Sequence, residues 1–204
     1  MNTILDLIPV DNDTRFKPKP PGVSYFLGLD LGQRQDHSAI ALIERAVLAT
    51  GEFDRVTYQR LTTTERRLRE VRRIPLDTPY TRIASHVADS VDRHPYAGQT
   101  TLAVDATGVG RPVVDHLKSL RPPCKIVPVV ITGQGQPHNS NGALHVPRQD
   151  LIANLQILLE NKAITASGRA SQAHLLKSEL LNFGNRSQHD DLVFAAALAA
   201  WLAR

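Results

Sequence analysis

Short apolar runs separated by polar breaks dominate the first two thirds of the chain. Tyr25-Phe26-Leu27-Gly28-Leu29-Asp30-Leu31-Gly32 has strand length and carries one charge. Ala39-Ile40-Ala41-Leu42-Ile43 follows a polar turn, and Val56 to Leu61, beyond Gly51, is expected as a third strand. Strands this close in sequence join by hairpins, which predicts an antiparallel meander. The period then changes. Thr78-Pro79 marks a helix start, with Ile83, Val87 and Val91 at helical spacing. Thr101 to Asp105 returns to strand, Val113, Val114, Leu117 and Leu120 form a helical stripe behind Pro112, and Ile126 to Ile131 is another buried strand. A polar Gly/Gln/Asn/His loop is expected from Gly133 to Gly142. Three helices finish the chain: Pro147 to about Lys162, Ser171 to about Phe183, and Asp190 to the end. The order β-β-β-α-β-α-β-α-α-α predicts an α/β fold: three antiparallel strands then two parallel ones in a mixed sheet, with helices on both faces. Residues 1–22, with Lys17-Pro18-Lys19-Pro20-Pro21-Gly22, are expected as a flexible Pro-rich tail, and residues 23–204 as one domain.

Composition narrows the class only modestly. The 204 residues are 42% hydrophobic, as in ordinary globular proteins, and the formal net charge of +4 suits a polyanionic partner without requiring one. The lone Cys124 excludes an internal disulfide and a thiolate metal cluster, and fits a reducing, cytoplasmic setting. Met1 to Val10 lacks the basic start and apolar core of a secretion signal. Leu192 to Ala203, the longest apolar run, falls short of the ~20 residues that span a bilayer, so it is expected as a buried helix rather than a membrane segment.

Three acidic positions carry the chemistry. Asp30 sits inside an apolar strand, where an ionised carboxylate is costly unless it meets a cation or several donors. Asp105 repeats this at the end of another apolar strand, before Ala106-Thr107-Gly108-Val109-Gly110. Either one alone could equally cap a turn. His189-Asp190-Asp191 opens a helix apolar almost all round; one Asp there suits the N-cap and the helix dipole, but two in succession ask for more. Acids on two strand ends and one helix start are what a hard cation such as Mg²⁺ or Mn²⁺ requires, and a pair of such ions can clamp both sides of a phosphodiester displacement.

The runs Phe26 to Gly32 with Asp36-His37-Ser38-Ala39, Val104 to Gly110, Val146-Pro147-Arg148-Gln149-Asp150-Leu151-Ile152, and His189-Asp190-Asp191-Leu192-Val193 together resemble the nuclease domain of phage terminase large subunits, in order over about residues 24–204. The resemblance implies a ribonuclease-H-like fold and a metal-dependent endonuclease, a hydrolase of DNA. It implies two ions, Mg²⁺ or Mn²⁺, with Asp30 bridging both, Asp105 holding one, and Asp190 or Asp191 completing the cage. DNA is the implied partner, with phage packaging proteins beside it. The family often carries a further acid one turn into the last helix; here that position is Ala195, so the choice between Asp190 and Asp191 stays open. No Walker-type Gly-x-x-x-x-Gly-Lys-Ser/Thr loop is present. The expectation is therefore a free-standing nuclease, a prophage remnant or a fragment of a longer product, not the packaging motor.

Several residues have two readings. Arg66, Arg67, Arg72 and Arg73 either track a DNA backbone or form a solvated segment leading into the first helix. Arg148 and Lys177 are single basic residues, DNA contacts or plain surface. Asp36 either stabilises its turn or supports the metal site, and His37 and His189 are structural or proton-shuttling. Three other functions compete: a Holliday-junction-resolvase-like nuclease, an actin- or sugar-kinase-like phosphotransferase using Asp30-Leu31-Gly32 and Asp105-Ala106-Thr107-Gly108 as phosphate loops, and an inactive DNA-binding remnant. The sequence is silent on oligomeric state.

Overall fold

Alternate residues of one central strand supply both cores of the molecule. In the computed structural model, which describes residues 10–11, 22–32, 36–58, 60–108, 110–168, 170–184 and 189–204, β2 (Val23–Asp30) runs between β3 (Ala39–Phe53) and β5 (Thr100–Asp105). Phe26 packs into one hydrophobic cluster and Leu27 and Leu29 into the other, as the two-residue period of a strand demands. β3 pairs antiparallel with β2 and with β4 (Arg60–Arg73), whereas β5 lies parallel to β2 and β6 (Cys124–Thr132) parallel to β5. These are the expected three antiparallel and two parallel strands.

The sheet is larger than expected. Among the described residues its order is β1 (Val10–Asp11), β9 (Thr165–Ser167), β4, β3, β2, β5, β6, β8 (Ala143–Pro147), β7 (His138–Ser140). Two expectations are corrected. Val56 and Tyr58 are highly exposed, and the third strand starts only at Arg60 and runs through the arginines to Arg73. It stays a strand because Leu68 and Val71 both pack into the cluster that holds Phe26, while Arg69 pairs with Glu44 on β3. The expected polar loop after Gly133 contains the β7–β8 hairpin, whose two-residue turn is Asn141-Gly142, both at positive φ (49° and 73°). Asn-Gly is the strongest short-range hairpin signal, so this turn was present in the sequence. Of the expected tail, Val10–Asp11 runs parallel to β9, and the remainder up to residue 21 lies outside the described residues.

Helices α1 (Tyr80–Asp92) and α2 (Gly110–Ser119) cover one face; α3 (Arg148–Glu160), α4 (Ala173–Leu181) and α5 (Asp191–Ala203) cover the other. Among the described residues no helix is long and apolar enough to cross a membrane. α5 is buried nearly all round because it lies between the sheet and its two helical neighbours. Its small residues let it ride directly on β2: a Cβ on Gly28 would stand 2.1 Å from the Ala195 carbonyl oxygen and 2.8 Å from the Ala199 nitrogen. This contact sets the site. Asp30 is two residues beyond Gly28 on the same strand face, and Asp191 is one helical turn before Ala195.

Candidate metal centre

The carboxylates arrive from three elements. Asp30 ends β2 and Asp105 ends β5; the last register pair between those strands is Leu29 with Val104, so the two acids are the next step along neighbouring parallel strands. The start of α2 closes tightly on this strand end: a Cβ on Gly110 would fall 1.9 Å from the Asp105 carbonyl oxygen, so the close approach needs glycine there. One Asp105 oxygen accepts the Thr107 N–H (2.8 Å), and Thr107 Oγ1 in turn accepts the Ile131 N–H (3.0 Å). α5 adds Asp191, only 5% exposed, and Asp190 just before it.

Asp30, Asp36, Asp105, His189, Asp190 and Asp191 all line one open cleft of about 650 Å³, together with Thr107 and Arg148. The structure thus brings the expected acids and Arg148 to a common wall. Asp36 is exposed on that wall, and the backbone there is tight: a Cβ on Gly32 would meet the Asp36 carbonyl oxygen at 2.2 Å. The His37 ring donates to the Ile74 carbonyl (2.9 Å) and packs edge-on to His189, 5.7 Å between centroids.

Burial pushes the Asp30 carboxyl well above the usual carboxylate range, and Asp105, Asp191, Asp190 and Glu179 push it further in that order. Burial also raises Asp105, against the opposing Thr107 hydrogen bonds, and raises Asp191, against the pull of Arg73 and His189. Such mutual repulsion is what a bound cation relieves.

Asp190 and Asp191 are used differently. Asp190 is half exposed and accepts a hydrogen bond from Arg148 Nη2 (2.7 Å); that guanidinium lies 4.6 Å from the centre of the Phe194 ring. Asp190 makes no side-chain capping bond, although it stands at the N-cap of α5. Asp191 Oδ2 is buried without a hydrogen-bond partner, 3.5 Å from Arg73 Nε and 3.7 Å from His189 Nδ1.

The residue that the sequence reading missed is Glu179. It is 6% exposed on α4; its Oε2 accepts the N–H groups of Leu192 (2.9 Å) and Val193 (3.2 Å), and its Oε1 accepts from Arg73. A neighbouring helix therefore caps α5. One signal could have found it: Leu176, Glu179, Leu180 and Phe183 fall at i, i+3, i+4 and i+7, which puts an acid on an apolar helical stripe.

The arginines of β4 part company. Arg66 Nε donates to the Ala203 carbonyl at the far end of α5 (2.7 Å), and Arg73 reaches Glu179 at the near end. Arg67 pairs with Glu65, and Arg72 pairs with Glu70 and contacts His86. Of the basic residues singled out in the sequence, Arg148 lines the cleft and Arg66, Arg67 and Arg72 do not.

An all-oxygen donor set, a buried carboxylate oxygen without a hydrogen bond and a mutually repelling group of acids fit a hard divalent cation. Among the described residues no three such side chains already stand at the spacing of a finished metal cage.

The mixed sheet, its strand order and the acids at the ends of two adjacent parallel strands define a ribonuclease-H-like fold. More particularly, the fold is that of large terminase nuclease domains. The large terminase nuclease of thermophilic phage G20c, solved with bound magnesium, superposes at a TM-score of 0.57 over 98% of this chain and 95% of its own, at 18% identity. The human cytomegalovirus terminase nuclease domain, manganese-soaked with an inhibitor bound, matches at 0.56 over 89% and 83%, at 12% identity. The large terminase of thermophilic bacteriophage D6E, in complex with ADP, matches at 0.60 over 96% of this chain but 43% of its own length, at 12% identity. In sequence, no family model and no curated protein matches the chain.

Proposed function

We propose that this chain is a divalent-metal-dependent endodeoxyribonuclease of the terminase-nuclease kind, with Asp30, Asp105 and Asp191 as the metal ligands. The observation that carries the proposal is the convergence of acids from β2, β5 and the start of α5 on one cleft, with Asp30 pushed toward protonation first by burial and then by its acidic neighbours. Metal-bound relatives in fold support the choice of magnesium or manganese.

Asp30, central among the acids, is the residue suited to bridge two ions. Asp105 holds its orientation through Thr107, and Asp191 keeps Oδ2 beside Arg73, which leaves its other oxygen to meet a cation. Asp190 supports the site from outside by fixing Arg148, whose exposed guanidinium at the cleft is placed to meet a DNA phosphate. When bound, such ions polarise a phosphodiester and make water a competent nucleophile near neutral pH. The chain's own contribution is to gather the ligands on one open cleft, where a bound cation would favour their ionised form. Phage packaging proteins are the proposed partners beyond DNA.

The test is supercoiled-plasmid cleavage with Mn²⁺. The wild type is expected to nick and linearise plasmid, and Asp30→Asn, still folded, to be at least about 100-fold slower. A wild type with no Mn²⁺-dependent cleavage of plasmid, linear duplex or four-way junction sinks the proposal in favour of the inactive remnant. Preference for the junction favours the resolvase-like reading, and stabilisation by ATP favours the phosphotransferase.

A further inference from the structure

Arg73 and Glu179 lie outside the three ligands proposed above, yet both reach the start of α5. Across the sheet, Asp30 stands opposite Ala39, and Ala39 stands opposite Arg73. Ala39 is fully buried in the cluster that α5 covers, so these three positions share the face beneath that helix. A row of neighbouring strands thus presents Asp105, Asp30, a small alanine and then a cation. Arg73 is itself pinned: its backbone N–H donates to Gln172 Oε1 (2.8 Å), just ahead of α4. Its side chain then forks, to Glu179 Oε1 and toward Asp191 Oδ2 at 3.5 Å. Both Glu179 oxygens are already engaged, one by two α5 amides and the other by Arg73.

We propose that Arg73 and Glu179 form a positioning pair that seats Asp191 at the cleft, and that Glu179 is not itself a metal ligand. The physical basis is that α5 begins without a capping bond from its own N-cap residue, so the two N–H groups after Asp191 take their acceptor from Glu179. Glu179 fixes the helix start, Arg73 fixes Glu179, and the other arm of Arg73 limits where the Asp191 carboxylate turns. Arg73 holds the side of Asp191 toward β4, which leaves Asp191 facing Asp30. Asp190, one residue earlier, lacks both restraints and pairs with Arg148 instead. The choice between the two consecutive aspartates, open in the sequence, is made by this pair.

The kinetic part of this inference rests on the nuclease reading; the other parts do not. The variants are Glu179→Gln, which keeps an acceptor for the α5 amides but no longer pairs with Arg73, and Arg73→Lys, which keeps the charge but not the fork. Three measurements are made on the full chain: amide hydrogen exchange at Leu192 and Val193 without metal, the number of Mn²⁺ ions bound by electron paramagnetic resonance, and kcat and KM on plasmid. Exchange at those two amides is expected to rise about tenfold in Glu179→Gln, as a charge-assisted bond becomes a neutral one. Mn²⁺ stoichiometry is expected to match the wild type in both variants. Both should lower kcat about tenfold with KM for DNA within about twofold, the signature of misplaced rather than missing groups. Loss of a bound ion in Glu179→Gln overturns the proposal by making Glu179 a ligand. Unchanged exchange in Glu179→Gln, or wild-type kcat in Arg73→Lys, overturns it by making the pair mere packing. If the wild type cleaves nothing, the nuclease reading fails, and exchange with ion count still decides whether Glu179 seats α5 or binds metal.

Discussion

Asp30→Asn is expected to make the metal-free protein more stable while removing its response to metal. Asp30 and Asp105 occupy the next step after the Leu29–Val104 register pair on neighbouring strands, and strands lie ≈ 4.8 Å apart. Two carboxylates about 6 Å apart repel by about 2–3 kcal/mol at an effective dielectric of ~20. Asp191 and Asp190 add to this repulsion, while proton uptake by Asp30 relieves part of it. A net gain of about 2 kcal/mol in the variant corresponds to a rise in Tm of roughly 4–8 °C for a chain of this size. The pH dependence follows from the raised pKa of Asp30, caused first by burial and then by Asp105. Ionising a group whose folded pKa is raised costs stability; the cost is absent below the unfolded carboxylate range and complete above the folded value. The metal-free wild type therefore loses stability as pH rises through that window, and the advantage of Asp30→Asn grows over it. Scanning calorimetry at pH 5 and pH 8, with and without Mn²⁺, measures both effects. An Asp30→Asn protein that melts below the wild type at pH 8 without metal, or that gains as much from Mn²⁺ as the wild type, would refute the reasoning.

Other perturbations test neighbouring parts of the structure. Gly28→Ala drives a methyl into the Ala195 carbonyl, so chemical denaturation should show a loss of at least about 3 kcal/mol, or no folded protein; near-wild-type stability would mean that α5 does not lie on β2 this closely. Arg148→Ala removes an exposed ion pair with Asp190, so stability should change by less than about 1 kcal/mol while the log–log salt slope of DNA binding falls by about one; an unchanged slope would remove Arg148 from the DNA path. Burial pushes the Cys124 thiol up to about 11, so iodoacetamide should label it much more slowly at pH 8 in the folded than in the unfolded chain; equal rates would contradict its burial against β5.

What the sequence by itself determined is local. Apolar runs with single acids marked β2 and β5 and the residues Asp30 and Asp105, and an almost wholly apolar run marked α5 as buried, because burial on two faces leaves no polar alternation to read. The Asn141-Gly142 turn was equally local, and its hairpin could have been read. Tertiary structure alone decided what depended on partners far away in the chain. Arg73 is one of several similar arginines in β4 until α4 and α5 pack over it, 106 residues downstream at Glu179. Glu179 looks like an ordinary helix acid until it meets amides 13 and 14 residues on. Asp190 and Asp191 are chemically identical neighbours, separated only by the direction each takes from the start of α5: one toward Arg148 and solvent, the other down toward Asp30 and Arg73. Periodicity reports which face of an element is buried, and it carries no record of which charge waits on the opposite side of that contact.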